Sequence, residues 1–269
     1  MKQLKSSSQH LKELFDQNIT AKYLAEPFKS FDYTGDAPTI KAFMEKYDYD
    51  VVGIRQNGTV IGYVKKSDLQ DGICENYIVP FDPSELILDT TPLIEVFKIL
   101  HNHSSLYIVY LNEIVGIVTK GDLQKSPARM WLFSLTSLLE MQLLRLIRGF
   151  YPNNSWKTYL KQLRLDEAQK IFDDRKVRNE SLDLADCLQF CDKRDIFLKS
   201  EAIQKSIGVE SKTATKKLLK QAEKIRNNLA HAQDIITGFW PEIVEIAEKI
   251  ETLLDQCERA KISSSSEAA

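Results

Sequence analysis

The sequence predicts an α+β architecture in two parts: a duplicated strand-and-helix module over residues 20–125, then an all-α bundle over residues 126–257. Three observations point there. The first half matches itself at an offset of 54 residues, it carries two β-rich hairpin patterns, and the second half spaces its apolar residues at helical intervals with little strand signal. Residues 1–19 read as a helical or loose lead-in, and residues 258–269, ending ISSSSEAA, as a disordered tail.

The repeat aligns Pro38 with Pro92, Ile40 with Ile94, Phe43 with Phe97, Ile54 with Ile108 and Gly62 with Gly116. It runs on through Val64 and Val118, Lys66 and Lys120, to Asp68-Leu69-Gln70 against Asp122-Leu123-Gln124. One offset serves throughout, so the copies, about 20–71 and 74–125, are each one supersecondary unit too short to bury its own faces, and the two must pack together. Each copy reads helix, strand, strand, helix. PTIKAFMEKY and PLIEVFKILH place apolar residues three and four apart after a proline suited to a first helical turn. DVVGIRQNGTVIGYV and SSLYIVYLNEIVGIV are β-branched and aromatic runs broken by turns, with Asn57-Gly58 the stronger turn signal. After each hairpin an Asp-Leu pair opens a further helix.

GYVKKSDL (62–69) and GIVTKGDL (116–123) resemble the end of the CBS motif: Gly, two apolar residues, Thr or Ser, two variable residues, Asp, then an apolar residue. The two copies in tandem resemble a Bateman module over residues 20–125. That resemblance implies an adenine nucleotide (AMP, ADP or ATP) as a regulatory ligand in clefts between the copies. Asp122 and Asp68 would meet the ribose hydroxyls, and Thr119 the ribose or phosphate. A carboxylate fixed at a helix start is suited to accept two hydroxyl hydrogen bonds. The first copy departs from the motif, with Lys65 in place of Thr: either Lys65 meets a phosphate or that site is empty. Plain N-capping is the competing role for both aspartates, and a purely structural module is the competing role for the pair.

In the second half, Ser126-Pro127 starts a long apolar helix that Gly149 and Pro152 stop. SWKTYLKQL, LDEAQKIFDDRKV, SLDLADCLQFCDKR and KSEAIQKSIG are further amphipathic segments, and Trp240-Pro241 introduces the last helix. Charge is uneven: residues 205–226 hold six Lys and one Arg against two Glu, although the whole chain carries a net −2. That basic run leads into KKLLKQAEKIRNNLAHAQDI (216–235). On a wheel at about 100° per residue, Leu218, Ala222, Ile225, Leu229, Ala232 and Ile236 form the buried stripe. Lys216, Lys220, Lys224, Asn227 and His231 fall opposite, with Arg226 flanking the stripe on a stem long enough to bring its guanidinium to the polar side. A guanidinium binds a phosphate bidentately and an imidazole titrates near neutrality, so this set suits phosphodiester chemistry, with the three lysines tracking an RNA backbone.

RNNLAH resembles the HEPN motif: Arg, a polar residue, three residues, then His, on a late helix of an α-helical bundle. The resemblance implies metal-independent RNA cleavage by 2′-hydroxyl attack, with no catalytic cofactor, across a homodimer cleft. Arg226 would stabilise the phosphate, Asn227 orient it or Arg226, and His231 act as acid or base. No Tyr stands two residues after His231, so the nucleotide-transfer variant of the family is not indicated. Two functions follow. One is a HEPN-type endoribonuclease regulated by adenine nucleotide; the other is a non-enzymatic nucleotide-sensing, RNA-binding or dimerisation protein with an inactive helical domain. In either, the expected partners are RNA, adenine nucleotide and a second copy, joined through both the CBS and the helical domains.

Composition narrows the rest. With 43% hydrophobic and 28% charged residues, no uninterrupted apolar run near the ~18 residues of a membrane span and no secretory leader, the expected setting is cytoplasmic and without membrane. Cys187 and Cys191, one helical turn apart with no histidine nearby, read as buried small hydrophobes like Cys74 and Cys257, and no metal is assigned. His101 and His103 at a helix end, and His10, read as loop or surface positions. Phosphate-binding glycine loops, glycosidase carboxylate pairs and Gly-flanked nucleophilic serines do not occur.

Overall fold

The computed structural model describes residues 7–178, 180–231, 233 and 240–260. The chain divides into two compact units, Leu14–Ala128 and Met1–Glu13 with Arg129–Ala269. Helix α1, Ser8–Asn18, opens the described chain.

The first unit contains β1 (Glu26–Pro27), β2 (Ser30–Asp32), α2 (Ala37–Tyr47), β3 (Val51–Gln56), β4 (Thr59–Lys65), β5 (Leu86–Leu88), α3 (Leu93–Asn102), β6 (Ser105–Tyr110) and β7 (Glu113–Thr119). They form two sheets, ordered β1-β7-β6-β5 and β2-β3-β4. The duplication is visible down to its irregularities. In each copy a short strand runs parallel to the first hairpin strand, Phe31 beside Ile54 and Ile87 beside Ile108, and a register shift follows Ile54 in one copy and Ile108 in the other. The hairpin turns are equivalent too, with Asn57 and Gly58, then Leu111 and Asn112, all at positive φ as a two-residue primed turn requires.

The copies are joined by exchange. Glu26 and Pro27, near the start of the first copy, pair with Ile117 and Gly116 of the second. Val79, near the start of the second copy, bridges Tyr63 of the first. Between the sheets, Phe28, Tyr63 and Tyr107 form a buried cluster with Phe81, Val79, Leu86 and Ile117 packed against it. A second core lies inside the first copy, where Ala37, Ile40 and Met44 of α2 cover Val52, Ile54 and Val64. Asp36 caps α2 by accepting from the Thr39 N–H at 3.0 Å.

One expectation is corrected here: the helix expected after each hairpin is a 3-10 turn, Lys120–Gln124, in the second copy and only a bend and turn in the first. Strands β1, β2 and β5, of two or three residues, are too short to leave a periodic signal in the sequence.

The second unit is helical: α4 (Ser126–Phe150), α5 (Gln162–Lys176), α6 (Phe190–Lys199), α7 (Glu201–Ile207), α8 (Lys212–Ala230) and α9 (Trp240–Arg259). SWKTYLKQL differs from expectation: it lies mostly in a 3-10 segment, Pro152–Tyr159, in which Asn153 and Asn154 are left-handed. Asp183 and Gln189 each start a new helical piece with a capping box, so Cys187 and Cys191 belong to separate elements rather than to successive turns of one helix. Cys191 is partly exposed, unlike the other three cysteines. Burial pushes the thiols of Cys74, Cys187, Cys191 and Cys257 up, the last to about 12, which leaves them protonated and unreactive at neutral pH. Helix α9 continues to Arg259, past the expected start of the tail, and residues 261–269 lie outside the described residues. Among the described residues α4 is long and apolar enough to cross a membrane by length and composition. Ser, Thr, Gln and Glu interrupt its apolar run without much lowering its mean hydropathy. Its Trp131, Leu135, Leu139, Leu143 and Leu146 are buried in the protein.

The motif glycine Gly62 sits where a side chain has no room: a Cβ there would lie 2.6 Å from both Ile78 Cγ2 and the Val79 carbonyl oxygen. At Gly121 the nearest atom would be Thr119 Oγ1 at 3.5 Å. Gly62→Ala is therefore expected to destabilise the protein by about 1–3 kcal/mol, and Gly121→Ala by less than about 0.5 kcal/mol. Urea unfolding of the two variants side by side checks this.

Candidate functional site

Helix α8 begins at Ser211, whose hydroxyl accepts from the Ala214 N–H, and it presents two faces. Lys216, Lys220, Lys224 and Asn227 are exposed along one of them, and exposed His231 stands at its end. The buried residues are Leu219, Ala222 and Ile225, with Leu218 and Leu229 half-buried. The core-facing direction is thus rotated from the expected stripe toward Leu219 and Arg226. Leu218 instead borders a groove of 560 Å³ between the start of α8 and α9, lined also by Ser211, Gln221, Ile246 and Leu253. Ala232 and Ile236 lie outside the described residues.

The rotation decides where Arg226 goes. Its side chain is 36% exposed, and Nη2 stands 3.5 Å from Glu140 Oε2 on α4. Nη1 donates to Asn227 Oδ1 at 3.0 Å. Arg226, expected to flank the stripe with a stem long enough to reach the polar side, has its guanidinium at the edge of the core, beside one carboxylate and bonded to one amide. Glu140 in turn accepts from Lys193 Nζ of α6 at 2.8 Å, and that ammonium is only 7% exposed.

His231 is the residue that ends the helix rather than one inside it, with φ −99° and ψ 15°. Its backbone N–H donates to the Asn227 carbonyl at 3.1 Å. Asn227 thus links the two, taking Arg226 with its side chain and His231 with its backbone. The helix end is tied to α4 by Arg129, whose guanidinium donates to the carbonyls of Gln233 (2.9 Å) and Leu229 (3.5 Å), a cation placed where the helix dipole is negative. Glu140, Lys193 and Arg129 escape a sequence reading, because their partners lie 33 or more residues away and no local pattern signals them.

In the first unit, Thr119 and Asp122 are brought together as the motif implies, and their bonds are internal. Asp122 Oδ2 accepts from the Thr119 N–H at 2.7 Å and from its hydroxyl at 3.0 Å, a capping box on the 3-10 turn. Asp122 Oδ1 is 2.9 Å from Lys125 Nζ, which also contacts Glu26 and donates to the Leu24 carbonyl. Burial pulls the Lys125 ammonium toward deprotonation, but Glu26 and Asp122 together outweigh it and hold its pKa above the usual value. Lys125 stands three residues after Asp122, a spacing that in the sequence alone signals a neighbour on the same turn.

The first copy is different. Asp68 is exposed and accepts only from Ser67 Oγ, at 2.7 Å, and Lys65 is exposed beside it. His103 Nδ1 is 3.9 Å from Glu85, while His101 and His10 are exposed. Among the described residues no three His, Cys, Asp or Glu side chains converge as a metal site would require.

The contrast between the two aspartates has a measurable consequence. Asp122→Ala removes a cap and one of the two carboxylates beside the partly buried Lys125 ammonium, at an expected cost of about 1–2 kcal/mol. Asp68→Ala is expected to change stability by less than about 0.5 kcal/mol. Denaturant midpoints of the two variants decide it.

Several solved structures align with part of this chain. An uncharacterized conserved protein from Pyrococcus horikoshii is 21% identical over 40% of this chain and 90% of its own, with a TM-score of 0.36. A putative acetoin utilization protein (AcuB) from Vibrio cholerae is 19% identical over 39% and 87%, with a TM-score of 0.36. CBSX2, solved in complex with AMP, is 14% identical over 39% and 92%, with a TM-score of 0.35. No curated protein matches the chain. The family model of the CBS domain matches residues 80–128, the stretch that holds β5, α3, the β6–β7 hairpin and the Thr119–Asp122 turn. Residues 80–128 of this chain are therefore a CBS domain.

Proposed function

We propose that the helical unit is a metal-independent endoribonuclease of the HEPN type, and that the tandem CBS unit binds an adenine nucleotide that regulates it. One observation carries the nuclease reading: Arg226 and His231 are both attached to Asn227, at the end of an exposed row of lysines. A polynucleotide following Lys216, Lys220 and Lys224 arrives at the Arg226 guanidinium and, five residues further on, at the exposed His231.

The chemistry follows from those groups. The ribose 2′-oxygen attacks the adjacent phosphorus as its proton leaves to a base; the bond from phosphorus to the 5′-oxygen breaks, and an acid protonates that oxygen. The products are a 2′,3′-cyclic phosphate and a 5′-hydroxyl. His231 exchanges the proton, and a second chain supplies a second imidazole for the opposite step. Arg226 holds the phosphate oxygens as their charge grows.

For the CBS part, Asp68 and Lys65 are open to solvent, so a nucleotide finds a carboxylate for its ribose and a cation for its phosphate in the first copy. Asp122 accepts ribose hydroxyls only after Lys125 or the Thr119 hydroxyl has left it. The non-enzymatic alternative draws on one specific fact, that Arg226 already has an acidic partner in Glu140.

Purified protein incubated with total RNA in chelator separates these readings. Wild type is expected to cut, and His231→Ala and Arg226→Ala to lower the rate by at least about 100-fold. Intact RNA that is nevertheless shifted on a gel removes the nuclease and leaves the binding protein. The same assay with AMP, ADP and ATP tests regulation: rates are expected to differ from the nucleotide-free rate, and Asp68→Ala to abolish the difference. Equal rates at saturating nucleotide dispose of it.

A further inference from the structure

We infer that Glu140 and Lys193 form with Arg226 a three-charge clamp that aims the Arg226 guanidinium without neutralising it. This rests on the nuclease reading of the same site. Glu140 contributes one carboxylate oxygen to each cation: Oε1 to Lys193 at 2.8 Å and Oε2 to Arg226 at 3.5 Å. The three groups come from three helices, α4, α6 and α8.

The charge count gives the clamp its use. Glu140 alone with Arg226 would be a neutral pair, with little attraction left for a phosphate. Lys193 brings a second positive charge to the same carboxylate, so the trio keeps a net charge of +1, located at its more exposed member. Lys193 is 7% exposed, Glu140 17% and Arg226 36%. Placing an ammonium so deep is costly unless it is paired, and apolar residues of similar volume would hold helices together as well or better. Helix spacing does not explain the trio either, since Arg194 of α6 already pairs with Glu223 of α8 and Arg129 ties α4 to the end of α8.

The donor count agrees. A guanidinium has five N–H groups. Glu140 engages Nη2 and Asn227 engages Nη1, which fixes the plane of the group from two sides, and among the described residues no other acceptor takes up the N–H groups that would meet an incoming oxyanion. Glu140 is thus a positioning residue, and Lys193 the counter-ion that keeps it from cancelling the charge it positions.

The test uses the full-length double variant Glu140→Gln/Lys193→Met, which removes one charge of each sign. Net charge is unchanged and no buried ion is stranded, so folding and long-range attraction for RNA are preserved, as melting temperature and far-ultraviolet circular dichroism will verify. Cleavage of an RNA oligonucleotide in chelator is expected to slow by at least about 10-fold. Binding of the same sequence as an uncleavable 2′-O-methyl oligonucleotide is expected to weaken by less than about 3-fold. Adding the double change to Arg226→Ala is expected to slow cleavage no further, because the clamp acts only through Arg226. Wild-type cleavage by the double variant, or a loss that multiplies with that of Arg226→Ala, overturns the clamp and leaves the nuclease standing. Wild-type protein that does not cut RNA overturns both.

Discussion

The exchange of edge segments between the two repeats is the constraint on which the first unit depends. A repeat of this size cannot shield both faces of a small sheet. Each therefore lends its leading segment to the other: Glu26 and Pro27 pair with β7 as a short strand, and Val79 makes a single bridge to Tyr63 of β4. The motif glycines exist for this exchange. A Cβ at Gly62 would strike the Val79 carbonyl at 2.6 Å, and one at Gly116 would approach the Glu26 carbonyl at 3.2 Å. Lys125 secures the same seam from the other side, gripping Asp122 of its own copy while contacting Glu26 and the Leu24 carbonyl of the borrowed segment. The carboxylate that a ribose would seek in the second copy is thus part of the joint between copies.

Much of this was legible and some was not, for definable reasons. The 54-residue offset survives in the structure as equivalent hairpin turns and equivalent register shifts after Ile54 and Ile108. A period is a property of the whole segment and tolerates local error. The exchange itself was not legible, since β1 is two residues long and β5 three. In the helical unit the lysine face of α8 could be read from spacing, because exposure along a helix follows its periodicity. The 100° wheel nonetheless centred the core on Leu218, where the structure centres it nearer Leu219. Apolar residues alone set the wheel's direction, while the real helix buries Leu219, Ala222 and Ile225, and that same turn brings Arg226 beside a carboxylate. That carboxylate, Glu140, lies 86 positions earlier in the chain, and nothing local announces it.

The same fact bears on how charge should be counted in this protein. The chain as a whole is slightly acidic, with a net −2, which argues against a nucleic-acid partner if the total is taken as the guide. A phosphate meets only the charges within about a Debye length, roughly 10 Å at 0.1 M salt. On α8 the nearest are Lys216, Lys220 and Lys224, all exposed, followed by Arg226. Glu223 would oppose them, but it is already paired with Arg194, and Glu140 is already paired with Lys193. Two acidic side chains near this face, Glu140 and Glu223, are therefore paired with cations from α6, and Lys216 and Lys220 of α8 face solvent. Helix α6 contributes no residue to the exposed face, yet without its two basic side chains the arginine and the lysine row would stand beside two unbalanced carboxylates.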